Sequence, residues 1–155
     1  MTNTELLREK IKKSGLKNGF IAEKSNRCIN LPHISTGPYP EFPTDCQPLI
    51  IASMATSYGF GSLREKIFEN RLGHCERLKK MGANIEVSGR TAIVRGVLSL
   101  RGASVDAGDL RSGASLTAAA LGAEGTTHIS QIHYIDRGYE NLCSDLRSLG
   151  AKIER

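Results

Sequence analysis

The sequence predicts an α+β fold built from a repeated unit, and three observations lead there. First, "LKKMGANIEV" (78–87) recurs as "LRSLGAKIER" (146–155), with a weaker copy in "IKKSGLKNGFIAE". Each copy reads as the end of an amphipathic helix, a glycine suited to a C-cap, and a strand start. Second, the glycines Gly15, Gly82 and Gly150 are 67 and 68 residues apart, a period that marks a repeat architecture. Third, "PTDCQPLIIASMATSYGFGSLREKIFENR" aligns with "GDLRSGASLTAAALGAEGTTHISQIHYIDR" at a constant offset of 66. Asp45 then corresponds to Arg111, Gly59 to Gly125, Phe68 to Tyr134, Asn70 to Asp136, and Arg71 to Arg137.

Taken in order, the chain opens with "LLREKIKKSGLK", in which Leu6, Leu7 and Ile11 give an apolar face and the charges a wet one, a solvated amphipathic helix. One full unit follows: a helix over 45–57, a strand over 61–68, a helix over 71–81, and strands over 84–88 and 91–97. "IEVSGRTAIVRGV" alternates as a hairpin should, turning at Ser88-Gly89. The next unit begins with a strand over 103–106 and a helix over 110–122. The approximate units are 5–40 (partial), 41–100 and 101–155 (partial), within a single module spanning 1–155. Both ends read as cut from a larger repeating structure.

Composition narrows the function classes. The chain has 155 residues, 39% hydrophobic and 24% charged, enough for one domain with a real core. No apolar run approaches the roughly 20 residues of a membrane span. Met1 to Lys13 is charged throughout and lacks a signal peptide's apolar core. A cytoplasmic protein with no membrane partner is expected. The net charge of +5 suggests nucleic acid, but residues 1–40 hold seven Lys/Arg against three Asp/Glu while the other 115 hold fourteen against thirteen. With 5% aromatics and no Trp, stacking platforms are scarce and no nucleic-acid partner is expected. Cys28, Cys46, Cys75 and Cys143 show neither CxxC spacing nor a Cys/His ladder, so no metal and no cofactor are expected. His74 beside Cys75 reads as incidental, since adjacent helical residues point in different directions.

The repeat sets the polar residues of interest at equivalent helix starts. Thr44 to Gln47 fits a T-x-x-Q capping box, with Asp45 as the first helical residue. Asp109 is the natural N-cap of the next long helix, with Arg111 in its first turn. Asn70 and Asp136 read as caps too, followed by Arg71 and Arg137. Arginine is the wrong charge for a helix N-terminus, where the backbone dipole favours anions. Three such mismatches point to an anionic ligand held by backbone N–H groups and guanidinium. The plainer alternative is that each arginine pairs with a nearby carboxylate.

At these same residues, "PYPEFPTD", "FENRLGHCERLKKMGANI", "GRTAIVRGV", "DLRSGASL", "AEGTTHISQIHYIDRGYENL" and "LRSLGAKIER" closely resemble the UDP-N-acetylglucosamine 1-carboxyvinyltransferases, in the enolpyruvyl transferase family of EPSP synthase. The likeness runs from about Leu6 nearly to the end. It implies repeated βαβαββ units forming part of an inside-out α/β barrel, with helix N-termini facing a cleft between two domains. It implies transfer of an enolpyruvyl group from phosphoenolpyruvate to the 3'-hydroxyl of UDP-N-acetylglucosamine, the step that opens peptidoglycan synthesis. By motif, Asp45 takes the position of the residue that contacts the attacking hydroxyl and is the favoured general base. Arg71, Arg111 and Arg137 take the positions of the positive cleft, the last two nearest the carboxylate and phosphate of phosphoenolpyruvate. Phe68 would lie beside the uridine nucleotide. Gly113 stands where Ser is usual, adding backbone freedom to a first helical turn at roughly 1 kcal/mol against alanine.

The resemblance covers the C-terminal portion of such an enzyme. The family's reactive cysteine, its phosphoenolpyruvate-gripping lysine and most other sugar-nucleotide contacts fall outside these 155 residues. An enzyme portion inactive on its own is the expected function, and a surface left uncovered is expected to favour self-association. The alternative is a non-catalytic short paralogue or binding module for anionic metabolites or a partner chain.

Overall fold

The computed structural model describes residues 28–155. The predicted N-terminal helix and Gly15 lie outside them. Strand β1 (His33–Ser35) leads through a loop to a 3-10 turn, Thr44–Cys46, and helix α1 (Gln47–Thr56). Strand β2 (Phe60–Arg64), helix α2 (His74–Lys80) and the hairpin β3 (Asn84–Ser88) and β4 (Thr91–Arg95) complete a unit. Strand β5 (Ser104–Asp106), helix α3 (Leu110–Leu121), strand β6 (His128–Ser130) and two short helices, α4 (His133–Asp136) and α5 (Leu142–Ser148), follow. The fold is α+β. The described strands form a four-stranded sheet, order β1-β2-β4-β3, and a two-stranded sheet, β5-β6, with no closed barrel.

Helix α1 contains no charged residue, and Pro48 occupies its first turn, where a missing N–H leaves nothing unpaired. A helix apolar on nearly all sides belongs inside. Ile51, Ala52, Met54 and Ala55 are buried, together with Gln47, whose side-chain nitrogen and oxygen find no hydrogen bond among the described residues. Helix α3 packs against α1, and its buried residues are mostly small: Ser112, Gly113, Ser115 and Ala119 among them. The hydroxyls of Ser115 and Thr117 donate back to the Ser112 and Gly113 carbonyls at 2.8 and 2.9 Å, so they enter the interior satisfied.

The sheet covers this helical layer by alternation. Gly61 and Leu63 of β2, Ala92 and Val94 of β4, and Ile85 of β3 turn inward onto Leu78 and Met81. Strand β2 runs parallel to β1 and antiparallel to β4. Ser88 pairs with Thr91, leaving a two-residue turn with Gly89 first at φ +55°, the geometry that glycine supplies freely. The repeat is visible in the backbone: Gly59 and Gly125 have φ of +87° and +86°, and Gly82 and Gly150 of +90° and +91°.

Several boundaries differ from the sequence expectation. The strand over 61–68 ends at Arg64, because the next residue turns its carboxylate inward and captures the amides that would have continued the ladder. The helix over 71–81 starts only at His74, since Asn70 adopts φ +54° and caps nothing. Asp136 lies inside α4 and Arg137 is that helix's C-cap, so the predicted helix start there does not exist. The T-x-x-Q capping box is not formed either, as Thr44 bonds elsewhere and Asp45 sits in the 3-10 turn before α1.

The second unit is more open than the first. Met81 is fully buried, whereas Leu149, 68 residues on, is 82% exposed, and α5 has no buried residue. Among the described residues β6 pairs with β5 alone. A cavity of about 860 Å³ is lined in part by Ile129, Ile135, Leu142 and Ile153.

Gly113 proves to be a packing requirement rather than slack in the helix. A Cβ there would sit 2.5 Å from Ile135 Cγ1 and 3.1 Å from the Ala107 methyl. Gly113→Ala is therefore expected to lower stability by about 1–3 kcal/mol through overpacking, despite better helix propensity. Urea unfolding at neutral pH reads this directly; a variant more stable than the parent would refute the packing account.

Candidate active site

Three of the predicted site residues converge where the first turns of α1 and α3 meet. Asp109 caps α3 as expected, its Oδ1 accepting from the amides of Arg111 and Ser112 at 2.9 and 3.0 Å. Burial works against an ionised Asp109, but the Ser112 hydroxyl and these two amides outweigh it and hold its carboxyl below the usual range. The cap fixes the first turn of α3 and so presents Arg111. The Arg111 guanidinium reaches Asp45 Oδ1 through Nε at 2.5 Å. Arg71, in the turn before α2, donates from Nη2 to the same oxygen at 2.8 Å.

Asp45 thus bridges two arginines with one oxygen, and its side chain remains 60% exposed. The Arg111 hydrogen bond is the main reason that its carboxyl titrates below the ordinary value, with Arg71 adding to the effect. Asp45 in turn raises the pKa of Arg111. Counting one carboxylate against two guanidiniums, the group is net positive on an accessible face. The plainer alternative raised by the sequence holds for Arg71 and Arg111, which pair with a carboxylate, and that carboxylate is the candidate base.

Phe68 joins the group through Arg71, whose guanidinium carbon lies 4.6 Å from the ring centroid. Half-buried Arg71 is therefore held between a ring face and a carboxylate. Arg137 is not drawn in. It is exposed at the C-cap of α4, and no ion pair reaches it among the described residues. Its helix has only four residues, and Gly138 packs so closely on Leu110 that a Cβ would meet Cδ2 at 2.8 Å.

Known proteins share this arrangement of elements. The family model for EPSP synthase (3-phosphoshikimate 1-carboxyvinyltransferase) matches residues 8–146. The chain belongs to the EPSP synthase family. It is 47% identical over 137 residues to UDP-N-acetylglucosamine 1-carboxyvinyltransferase of Ruegeria pomeroyi, covering 88% of this chain and 32% of that protein. It is 54% identical over 120 residues to the protein of the same name from Acinetobacter baylyi, covering 77% and 29%. Among solved structures, the enolpyruvyl transferase NikO of Streptomyces tendae superposes with a TM-score of 0.76 at 29% identity, over 84% of this chain and 30% of that one. The chain spans about a third of the length of the curated relatives it matches.

Behind the exposed group, this member of the EPSP synthase family holds buried ionisable residues that sequence reasoning passed over. Glu65 is 1% exposed; its carboxylate accepts from the hydroxyls of Thr36 and Thr44 at 2.9 and 2.8 Å and from the amides of Ile67 and Phe68 at 2.8 and 3.1 Å. Burial opposes its charge, yet these bonds prevail and its pKa lies below the usual value. A signal for it existed: the alternation that sends Gly61 and Leu63 inward sends Glu65 the same way. His74 and Cys75 do touch, Nε2 to Sγ at 3.9 Å, but both are buried and no metal-ligating cluster is found among the described residues. Burial pushes the Cys75 thiol up to about 12, which makes it unreactive.

His74 makes stability depend on pH. Burial lowers its pKa from 6.5 to about 4 against the opposing pull of Asp109. The folded state keeps it neutral where the unfolded chain takes a proton, so its stabilisation is complete above pH 6.5 and is lost progressively as pH falls toward 4. A shift of this size corresponds to roughly 3 kcal/mol. The lowered carboxylates lose their share only at more acidic pH, leaving this window to His74. Urea unfolding is expected to show that loss between pH 7 and 4, with His74→Leu removing most of it. Equal losses in parent and variant would discount the histidine.

Proposed function

We propose that this chain is the C-terminal part of an enzyme that transfers enolpyruvyl from phosphoenolpyruvate to the 3'-hydroxyl of UDP-N-acetylglucosamine, the first committed step of peptidoglycan synthesis. The observation that carries this reading is Asp45 Oδ1 shared by Arg71 and Arg111 at 2.8 and 2.5 Å on an accessible face. The names of the relatives at 47% and 54% identity supply the substrates. A cytoplasmic location belongs with it, because both substrates are phosphorylated metabolites.

In the reaction the sugar oxygen bonds to C2 of phosphoenolpyruvate, the C2–phosphate oxygen bond breaks, and the hydroxyl proton must leave. Asp45 is assigned to orient that hydroxyl and accept its proton. Two guanidiniums make it a weaker base, so an anionic substrate that draws Arg111 and Arg71 toward itself also frees Asp45 to act. Arg111 and Arg137 are assigned to the carboxylate and phosphate as charge moves onto the leaving group, and Arg71 adds to the positive wall. Arg137, exposed at the C-cap of α4, has to approach this group for that role, and Phe68 is assigned to the nucleotide.

One wall of a cleft neither encloses substrate nor excludes water. The purified 155-residue chain is expected to bind phosphoenolpyruvate and UDP-N-acetylglucosamine weakly and to release no phosphate from them. Its uncovered surface is expected to favour self-association. In a full-length relative, the equivalent of Asp45→Asn should reduce kcat by at least about 100-fold, in the usual range for a general base, with KM changed far less. Phosphate release by the isolated chain, or equal losses in kcat and affinity, would count against this assignment.

A further inference from the structure

We propose that Glu65 is a positioning residue for the candidate active site, holding the turn that carries Asp45 and the turn that carries Phe68 in register with each other. The proposal rests on the reading of Asp45 and Phe68 given above. A buried carboxylate is expensive, and among the described residues no Lys or Arg lies within ion-pair distance of Glu65. Its charge is met only by neutral donors. If the site needed nothing but cohesion, an apolar side chain of similar volume would serve as well at lower cost.

The donors explain the choice. Oε2 takes the hydroxyl of Thr44, the residue immediately before Asp45, at 2.8 Å. Oε1 takes the amides of Ile67 and Phe68 and the hydroxyl of Thr36. Thr36 Oγ1 accepts in turn from the Lys66 amide at 2.9 Å, so the 65–68 turn is tied at every residue. One fully buried group therefore fixes two segments from opposite sides. The first segment aims Asp45 at Arg111. The second sets the ring over which Arg71 lies at 4.6 Å. With the Thr44 bond cut, the 3-10 turn has no side-chain cap of its own to keep Asp45 in place.

The test reads Asp45 itself in the 155-residue chain and needs no substrate. Carbon-13 NMR follows the Asp45 carboxylate through a pH titration in the parent, Glu65→Gln and Thr44→Val. Glutamine retains one acceptor oxygen for the two amides and the Thr36 hydroxyl, and offers NH2 to a Thr44 hydroxyl free to rotate. Thr44→Val severs that one arm and leaves Glu65 buried with its other three bonds. Loss of positioning should loosen the pair with Arg111 and raise the Asp45 midpoint by half a pH unit or more in Thr44→Val, whereas Glu65→Gln, which keeps the contacts and removes only the charge, should leave it unmoved or lower. Simple removal of the Glu65 charge would lower that midpoint instead, so the sign separates the two effects. Exchange of the Arg111 Nε proton should speed up at least threefold, while protection of the Ala92 and Val94 amides stays unchanged. If Glu65→Gln does not fold, Thr44→Val alone decides. An Asp45 midpoint unmoved or lowered in folded Thr44→Val, or raised in Glu65→Gln as much as in Thr44→Val, overturns the proposal. Failure of the parent to bind phosphoenolpyruvate would count against the assigned function and leave the role of Glu65 standing.

Discussion

The arrangement of this molecule depends on how closely α1 and α3 can lie side by side. Their first turns meet at the Asp45–Arg111 pair, and their later turns, at Thr56 and Gly122, line one cavity, so the two helices run the same way. That places two N-terminal dipole ends next to each other, an arrangement that repels unless negative charge lies between them. Asp109 caps one, and Asp45 sits at the mouth of the other. The two helices pack together in the interior, and the buried face of α3 carries small side chains, Ser112, Ser115 and Ala119 among them. The charge pair and the small residues are two aspects of the same constraint.

The pair has a further property that only a repeat could give it. Asp45 and Arg111 are equivalent positions in successive units, and they bear opposite charges. The fold brings these two positions together, and their opposite charges make the contact an ion pair. Arg71 and Arg137 are equivalent as well, yet they do not share a fate. Arg71 lies against a ring and a carboxylate in the more closed unit, whereas Arg137 ends a four-residue helix in the more open one. The cavity of about 860 Å³ beside α4 and α5 marks the same asymmetry.

Polar groups do as much to shape this site as the core does. Glu65 and His74 are withdrawn from water, each beside a segment bearing a site residue, and the more exposed Asp109 caps the helix that carries Arg111. Glu65 remains charged because four donors surround it. His74 remains neutral because burial outweighs a nearby carboxylate. Buried polar groups tolerate little displacement, since an unmade hydrogen bond there is costly. They confer on the exposed arginines and carboxylate a fixed background that surface ion pairs alone, worth about 1 kcal/mol or less, could not supply.

Much of this was legible in the residues themselves. The α+β class, the hairpin (whose turn falls at Gly89-Arg90, one residue beyond the expected Ser88-Gly89), the cap at Asp109 and the special backbone at Gly82 and Gly150 depend on short-range chemistry, so they can be read where they are written. The association of Asp45 with Arg111 and Arg71 was foreshadowed by the 66-residue offset, because the repeat carries three-dimensional information in one dimension. Other features were decided by the tertiary fold. Thr44 had a local partner within reach and bonded to Glu65 instead, since a buried carboxylate demands donors more strongly than a helix start demands a cap. Asn70 and Asp136 looked like caps and became a left-handed turn and a helical residue, because the chain had to bend to bring α2 and α4 against α3. Gly113 looked like slack and is a contact, a fact that resides in Ile135, 22 positions away. Local sequence specifies what a segment can do; which of those options is taken depends on neighbours that only the folded chain brings near.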